Sequence, residues 1–207
     1  MLGMTGFVFF LAAALLLAIT PGPGIFYVAA RTLAGGRGEG LASSFGTAIG
    51  GCIHVLAGAF GVSALVMASA EAFAVLKIIG AGYLVWLGCK TIWDARDEWR
   101  IEVANTGWSR ALRDGVIVEA LNPKTAAFFL AFIPQFVDPS RPVAVQFVLL
   151  GLIAVTLNTA ADVAVVHGVA KARARFKHPR LIKRLRQSSG IALCGLGASL
   201  LLARRST

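Results

Sequence analysis

Two long apolar stretches of this 207-residue chain are each interrupted by proline, at Thr20-Pro21-Gly22-Pro23-Gly24 and at Asn122-Pro123-Lys124. Proline removes a backbone donor and clashes with the preceding helical turn, so neither stretch can form an unbroken helix. In lipid every peptide group needs a partner, and a break is tolerated only where it faces other protein or a watery cavity. Two such breaks, one in each half of the chain, point to a substrate site.

That the surroundings are lipid follows from composition. Hydrophobic residues make up 57% of the chain and charged residues 14%, which is too apolar for an ordinary soluble domain. A helical span takes about 20 apolar residues. Six candidate spans are predicted, at 6–31, 41–69, 72–93, 115–137, 143–170 and 189–203. The runs are continuous rather than alternating, which excludes a β-barrel reading. The expected fold class is all-α: a polytopic membrane bundle forming one transmembrane domain over 1–207. Its first three-helix repeat is 1–93, a cytoplasmic loop is 94–114, and the second repeat is 115–207. Three being odd, the second half enters the membrane in the opposite direction, the arithmetic of an inverted repeat. The first segment lacks a basic leader and is followed by further spans, so it reads as an uncleaved span.

The net charge of +10 is concentrated in loops. Arg31 and Arg37 fall between spans one and two. Lys90, Arg96, Arg100, Arg110 and Arg113 fall between three and four. Lys171, Arg173, Arg175, Lys177, Arg180, Lys183, Arg184 and Arg186 fall between five and six. With six spans these loops share one side, and the excess of Lys and Arg makes that side cytoplasmic. Both termini are then expected outside, with Arg141, Arg204, Arg205 and Lys77 toward that face. A basic membrane loop explains the charge better than a nucleic-acid site. The 171–186 run is placed to touch anionic headgroups.

Depth is consistent between the two breaks. At about 1.5 Å per residue, Pro21–Pro23 lies on the order of 12–15 Å before Arg31, and Pro123 a similar distance past Arg113 and Asp114. Asn122-Pro123 reads as a helix start, with Asn as N-cap and Pro in the first turn, and Thr20-Pro21 offers the same pair, restarted by Gly22-Pro23. A helix start inside the membrane presents free N–H groups and partial positive charge, which suits a carboxylate, and Lys124 adds a full charge. The plainer reading is a structural kink satisfied by neighbouring side chains.

Asp162 is the acid deep in span five, on the order of 13 Å from the cytoplasmic face by helical rise. Asn158 and Thr159 can share its face. Asp162 either binds a substrate ammonium or coupling proton, or is a permanent partner of Lys124. His54 can relay protons or simply pack through a hydrogen bond. Glu119 is expected on the cytoplasmic approach, attracting cations or protons, or merely hydrated there. Lys77 is expected to snorkel outward. Gly46, Gly50, Gly51, Gly58, Gly61, Gly80, Gly82 and Gly88 suit close helix packing or, as a minority reading, a gliding surface. Trp86, Trp93 and Trp99 suit an interfacial belt. Cys52, Cys89 and Cys194 have neither CxxC nor metal-ligand spacing and read as packing residues. With no P-loop, no metal-binding spacing and no nucleophile–base–acid set, the chain reads as neither an ATPase nor an enzyme, with no cofactor or metal. Its energy would come from a gradient or a partner.

Taken together, certain residues resemble the lysine-exporter (LysE/RhtB) family of amino-acid exporters. They are Thr20-Pro21-Gly22-Pro23, then Gly46, Gly50 and His54, then Leu76-Lys77-Ile78-Ile79-Gly80-Ala81-Gly82-Tyr83-Leu84 with Leu87-Gly88, then Leu121-Asn122-Pro123-Lys124, Phe128-Phe129 and Ile133-Pro134-Gln135-Phe136. The resemblance spans nearly the whole chain. It implies efflux of amino acids or close derivatives from the bacterial cytoplasm, driven by the proton motive force, and carries the motif onto Pro21, Gly22, Pro23, Asn122, Pro123 and Lys124. One departure is Gly24, where many relatives have asparagine. The expected partners are a small amino acid, protons and membrane lipid, with a homodimer left open and no nucleic acid. The expected location is the bacterial plasma membrane. The rival readings are a cation or metal exporter and a non-transporting membrane scaffold.

Overall fold

The computed structural model describes residues 4–68, 70–95, 105–171 and 179–202. Trp99, Arg96, Arg100, Arg173, Arg175, Lys177, Arg204 and Arg205 lie outside the described residues, as do the side chains of Lys77, Arg180 and Arg186. The described secondary structure is helical throughout: α1 Met4–Ile19, α2 Pro23–Ala68, α3 Ala70–Asp94, α4 Trp108–Ala120, α5 Pro123–Ala127, α6 Val143–Lys171 and α7 Pro179–Leu202.

Both proline breaks are present. Pro21 and Pro23 separate α1 from α2, and Asn122-Pro123 separates α4 from α5. Beyond α5 the chain continues as a π-turn, Phe128–Phe132, and a 3-10 turn, Ile133–Phe136. Pro134 cannot donate to the carbonyl one turn back, and the Ile133 N–H reaches five residues back to the Phe128 carbonyl. The wide turn sets Phe128, Phe129 and Phe132 inward against Phe10 and Phe147. These rings knit α1, α5 and α6 into one core.

Three expected boundaries change. No long loop separates the first two spans: α2 consists of two helical legs that meet in a tight turn at Gly36, whose φ of 75° only glycine adopts readily. Span one is therefore α1 plus the first leg of α2, and Arg31 is 2% exposed rather than a loop charge. The expected 94–114 loop contains the first turns of α4, because Trp108–Ala120 is amphipathic, with Ala111, Gly115 and Glu119 buried and Arg110 and Arg113 outward. The last helix starts at Pro179, ten residues before the expected 189.

Pro23–Gly61 and Val143–Lys171 are each long and apolar enough to cross a bilayer, and Trp108–Ala120 with Pro123–Phe136, bent by 42°, makes a third candidate. Met4–Ile19 and Ile78–Trp93 are apolar but shorter. Outward apolar side chains complete the picture of a helical membrane bundle. Phe45, Ile49, Ile53, Leu56 and Phe60 form one exposed stripe along α2, at the spacing of a single helix face.

Glycines set the closest seams. A Cβ on Gly50 would stand 2.7 Å from the Val116 carbonyl of α4, and one on Gly115 would stand 2.8 Å from that of Ser43. Gly88 of α3 meets Gly190 of α7 equally closely, at 2.6 Å from its carbonyl. Small residues let backbones approach in lipid. Gly61 and Gly82, expected to pack, face open space instead. The α3–α7 seam also brings Cys89 Sγ to 3.8 Å from Cys194 Sγ. The α2–α4 seam matters most here, since it carries Glu119 to the middle of α2.

Candidate functional site: a polar cluster where the two breaks meet

The two breaks, about a hundred residues apart in sequence, touch. The Lys124 ammonium donates to the carbonyls of Thr20 at 2.9 Å and Leu17 at 3.2 Å. Its stem crosses Gly22, where a Cβ would lie 3.1 Å from the lysine Cδ. A Cβ on Gly24 would stand 2.6 Å from Glu119 Oε2, so the space that asparagine would claim is taken by the second break's own side chains.

The breaks are built differently. Asn122 caps α5: its Oδ1 accepts the Lys124 N–H at 3.1 Å, and Pro123 takes the first helical position, where no N–H is needed. Thr20 does not cap α2. Its hydroxyl turns back and donates to the Leu16 carbonyl at 2.5 Å, closing α1 instead. The restart falls to Gly22, whose carbonyl accepts from Phe26 N–H at 3.0 Å. Proline at 21 and 23 leaves Thr20 no helix to cap on its C-terminal side.

Glu119 is buried, in contrast to the hydrated entrance expected of it. Its carboxylate accepts from Thr125 Oγ at 2.6 Å and from Asn122 Nδ2 at 2.8 Å. Its backbone carbonyl meets His54 Nε2 at 2.9 Å, so that nitrogen carries a proton and donates. His54 thus fastens α2 to the end of α4 and lies beside the Phe129 ring.

Asp162 is fully buried. Its Oδ2 accepts from Thr47 Oγ at 2.8 Å, while Oδ1 has no hydrogen-bond partner among the described residues. The expected alternative of a fixed Lys124–Asp162 pair is not what forms: the ammonium is spent on α1 carbonyls and the carboxylate on Thr47. Lys124 nevertheless remains within electrostatic reach of both Glu119 and Asp162.

Beside these groups lies a hollow lined by Leu17, Ala18, Thr47, Gly51, Glu119, Thr125, Phe129 and Asn158, among others, whereas Thr20–Gly24, Asn122–Lys124, His54 and Asp162 do not line it. Its volume, about 20 Å³, holds roughly one water. Asn158, singled out with Asp162, contributes to this wall, whereas Asp162 sits behind Thr47. That space is too small for an amino acid.

Sequence reading missed Thr47 and Thr125. Thr47 lies seven residues before His54, on the same face of α2, and Thr125 falls in the first turn after the Asn-Pro break. Both signals were available. It also missed a second buried cluster. Arg31 pairs with Glu39 at 2.9 Å across the Gly36 turn and donates to the Thr106 hydroxyl. Glu39 Oε1 accepts the Gly107 and Thr106 N–H groups, at 2.7 and 3.2 Å, just ahead of α4.

Residues 15–204 match the family described as LysE type translocator. The chain belongs to that family. Its members are transporters rather than enzymes. Among relatives, a homoserine/homoserine lactone efflux protein of Salmonella typhimurium is 30% identical, over 95% of this chain and 96% of its own length. An uncharacterized membrane protein of Vibrio cholerae is 32% identical, over 94% and 96% respectively. A leucine efflux protein of an Enterobacter strain is 28% identical, over 67% of this chain and 66% of its own. No solved structure matches the chain. Both proline motifs fall inside the residues matched to the LysE type translocator family.

Proposed function

We propose that this LysE type translocator is a secondary exporter of amino acids or close derivatives, coupled to the proton gradient and working by alternating access. Its six spans form two inverted three-span halves in the bacterial inner membrane, with the basic loops facing the cytoplasm. Thr20–Gly24, Asn122–Lys124 and Asn158 contact substrate, and Asp162, Glu119 and His54 handle protons.

The observation that carries this reading is the contact between the two breaks, next to a small hollow walled by Glu119, Thr47, Thr125 and Asn158. Ionisable groups at membrane depth are costly and mark substrate or proton routes. The cluster holds two carboxyl groups, Glu119 and Asp162, against one ammonium, Lys124, which leaves one acid in excess. A proton or a substrate ammonium makes good that difference. Asp162 Oδ1, buried with no hydrogen-bond partner among the described residues, is where the proton would be accepted. The compounds named for the relatives share an α-ammonium group, whereas a lactone has no free carboxylate. The ammonium is thus the group that a common site would recognise.

The test is counterflow in proteoliposomes of the purified protein. Labelled homoserine, leucine and a panel of other amino acids are offered with and without a pH gradient. The expected result is exchange of at least one amino acid, and net flux that follows the proton gradient. Flux of none of them, or net flux indifferent to pH, would contradict the respective part. Orientation is checked by thiol labelling of Ser140→Cys and Lys183→Cys in intact cells: Ser140→Cys should react with an impermeant reagent and Lys183→Cys should not.

A further inference from the structure

Resting on the export reading, we propose that the last carbonyls of α1, those of Leu17 and Thr20, are the docking point for the substrate's primary ammonium group. Lys124 holds that place between substrates.

The final carbonyls of a helix have no partner within it and carry a partial negative charge of about half an electron. Proline at position 21 stops the next turn, so the Thr20 carbonyl gains no helical partner there, and the Leu17 carbonyl, which accepts the Thr20 N–H at 3.2 Å, keeps a second lone pair. In this structure they hold an ammonium already. Lys124 Nζ, buried and drawn from the other half of the chain, donates to both at 2.9 and 3.2 Å. A lysine side chain and an α-amino acid end in the same chemical group, so a site that accepts one accepts the other. Leu17 and Ala18 also wall the hollow, so the carbonyl end of α1 borders the space a substrate would enter.

Exchange leaves no buried charge stranded. When the substrate ammonium takes the two carbonyls, Lys124 is released at the second residue of α5. There its charge can meet the substrate carboxylate. Gly22 offers the stem its path, since any side chain there would stand against the lysine methylenes. A molecule without a primary ammonium cannot displace Lys124. One lacking only the carboxylate can still dock, more weakly.

Two measurements test this. In wild-type counterflow, the N-acetyl derivative of a transported amino acid should compete about tenfold or more weakly than its parent, the scale of one lost charge-assisted hydrogen bond. The methyl ester, which keeps the ammonium, should lose less. Equal competition by the N-acetyl derivative overturns the proposal. In Lys124→Ala the carbonyls lose their resident cation. Propylammonium should then raise the unfolding temperature of the variant but not of wild type, and tetramethylammonium, which has no N–H, should not. No difference between the two cations overturns it as well. If Lys124→Ala does not fold, the competition result decides. If wild type moves no amino acid at all, it is the export reading that fails, and the propylammonium comparison still judges the carbonyl site.

Discussion

Two charge clusters are buried in this molecule, and they are wired in opposite ways. Arg31 and Glu39 form a direct pair at 2.9 Å, with side chains 3% and 6% exposed, and Glu39 spends its other oxygen on the backbone ahead of α4. Around the proline breaks, Lys124, Glu119 and Asp162 are equally buried, yet each is held by neutral groups: carbonyls, a hydroxyl and an amide, or a hydroxyl alone. The first arrangement satisfies its charges on one another and leaves nothing for a ligand. The second keeps opposite charges apart beside a hollow, where a zwitterion or a proton can complete them. A buried pair of this kind fixes shape; dispersed charges retain the capacity to exchange partners.

The largest effect that follows is on stability. Removing one member of a buried pair strands the other, at a cost of about 3–5 kcal/mol. Glu39→Ala should therefore lower the unfolding temperature sharply, and Arg31→Met with Glu39→Leu should recover much of it. A Glu39→Ala protein that melts like wild type but does not transport would break the comparison, because the Arg31–Glu39 cluster would then be working parts rather than frame.

Asp162→Asn should do the reverse. The amide oxygen still accepts from Thr47, so stability should change little. Gradient-driven export should drop by about tenfold or more, equivalent to ~1.4 kcal/mol of barrier, while exchange without a gradient survives. Wild-type gradient-driven flux in this variant would remove Asp162 from the proton route.

A smaller effect is expected at Thr20. Its hydroxyl only closes α1, so Thr20→Val should cost about 1 kcal/mol of stability, a typical net hydrogen bond, and leave the substrate profile unchanged. A changed profile would bring the side chain, and not just its carbonyl, into the site.

What could be read beforehand was local. Pro21, Pro23 and Pro123 lack an N–H, so the breaks had to occur, and Asn before Pro signals a cap wherever it stands. Equal depth followed from counting residues inward from the charges. Partners that depend on packing were out of reach. Nothing near Lys124 in sequence says that its ammonium meets α1 rather than Asp162. Arg31 was assigned to a loop because charge usually marks one, whereas Gly36 lets the helix turn without a long loop and folds Glu39 back onto Arg31. Glu119 lies three residues before Asn122, which in sequence points to the cytoplasmic approach. The glycine seam between α2 and α4 buries it instead.

The central claim is that substrate binds where the breaks meet, and Asn158 on the hollow wall gives the most direct access to it. In a protein otherwise free of cysteine, Asn158→Cys and an exposed control, Ser140→Cys, would be labelled with a small thiol reagent while a transported amino acid is titrated in. Substrate should slow labelling at 158, with half-protection at its transport KM, and leave 140 untouched. Labelling at 158 that ignores saturating substrate, in a variant that still transports, would contradict the claim.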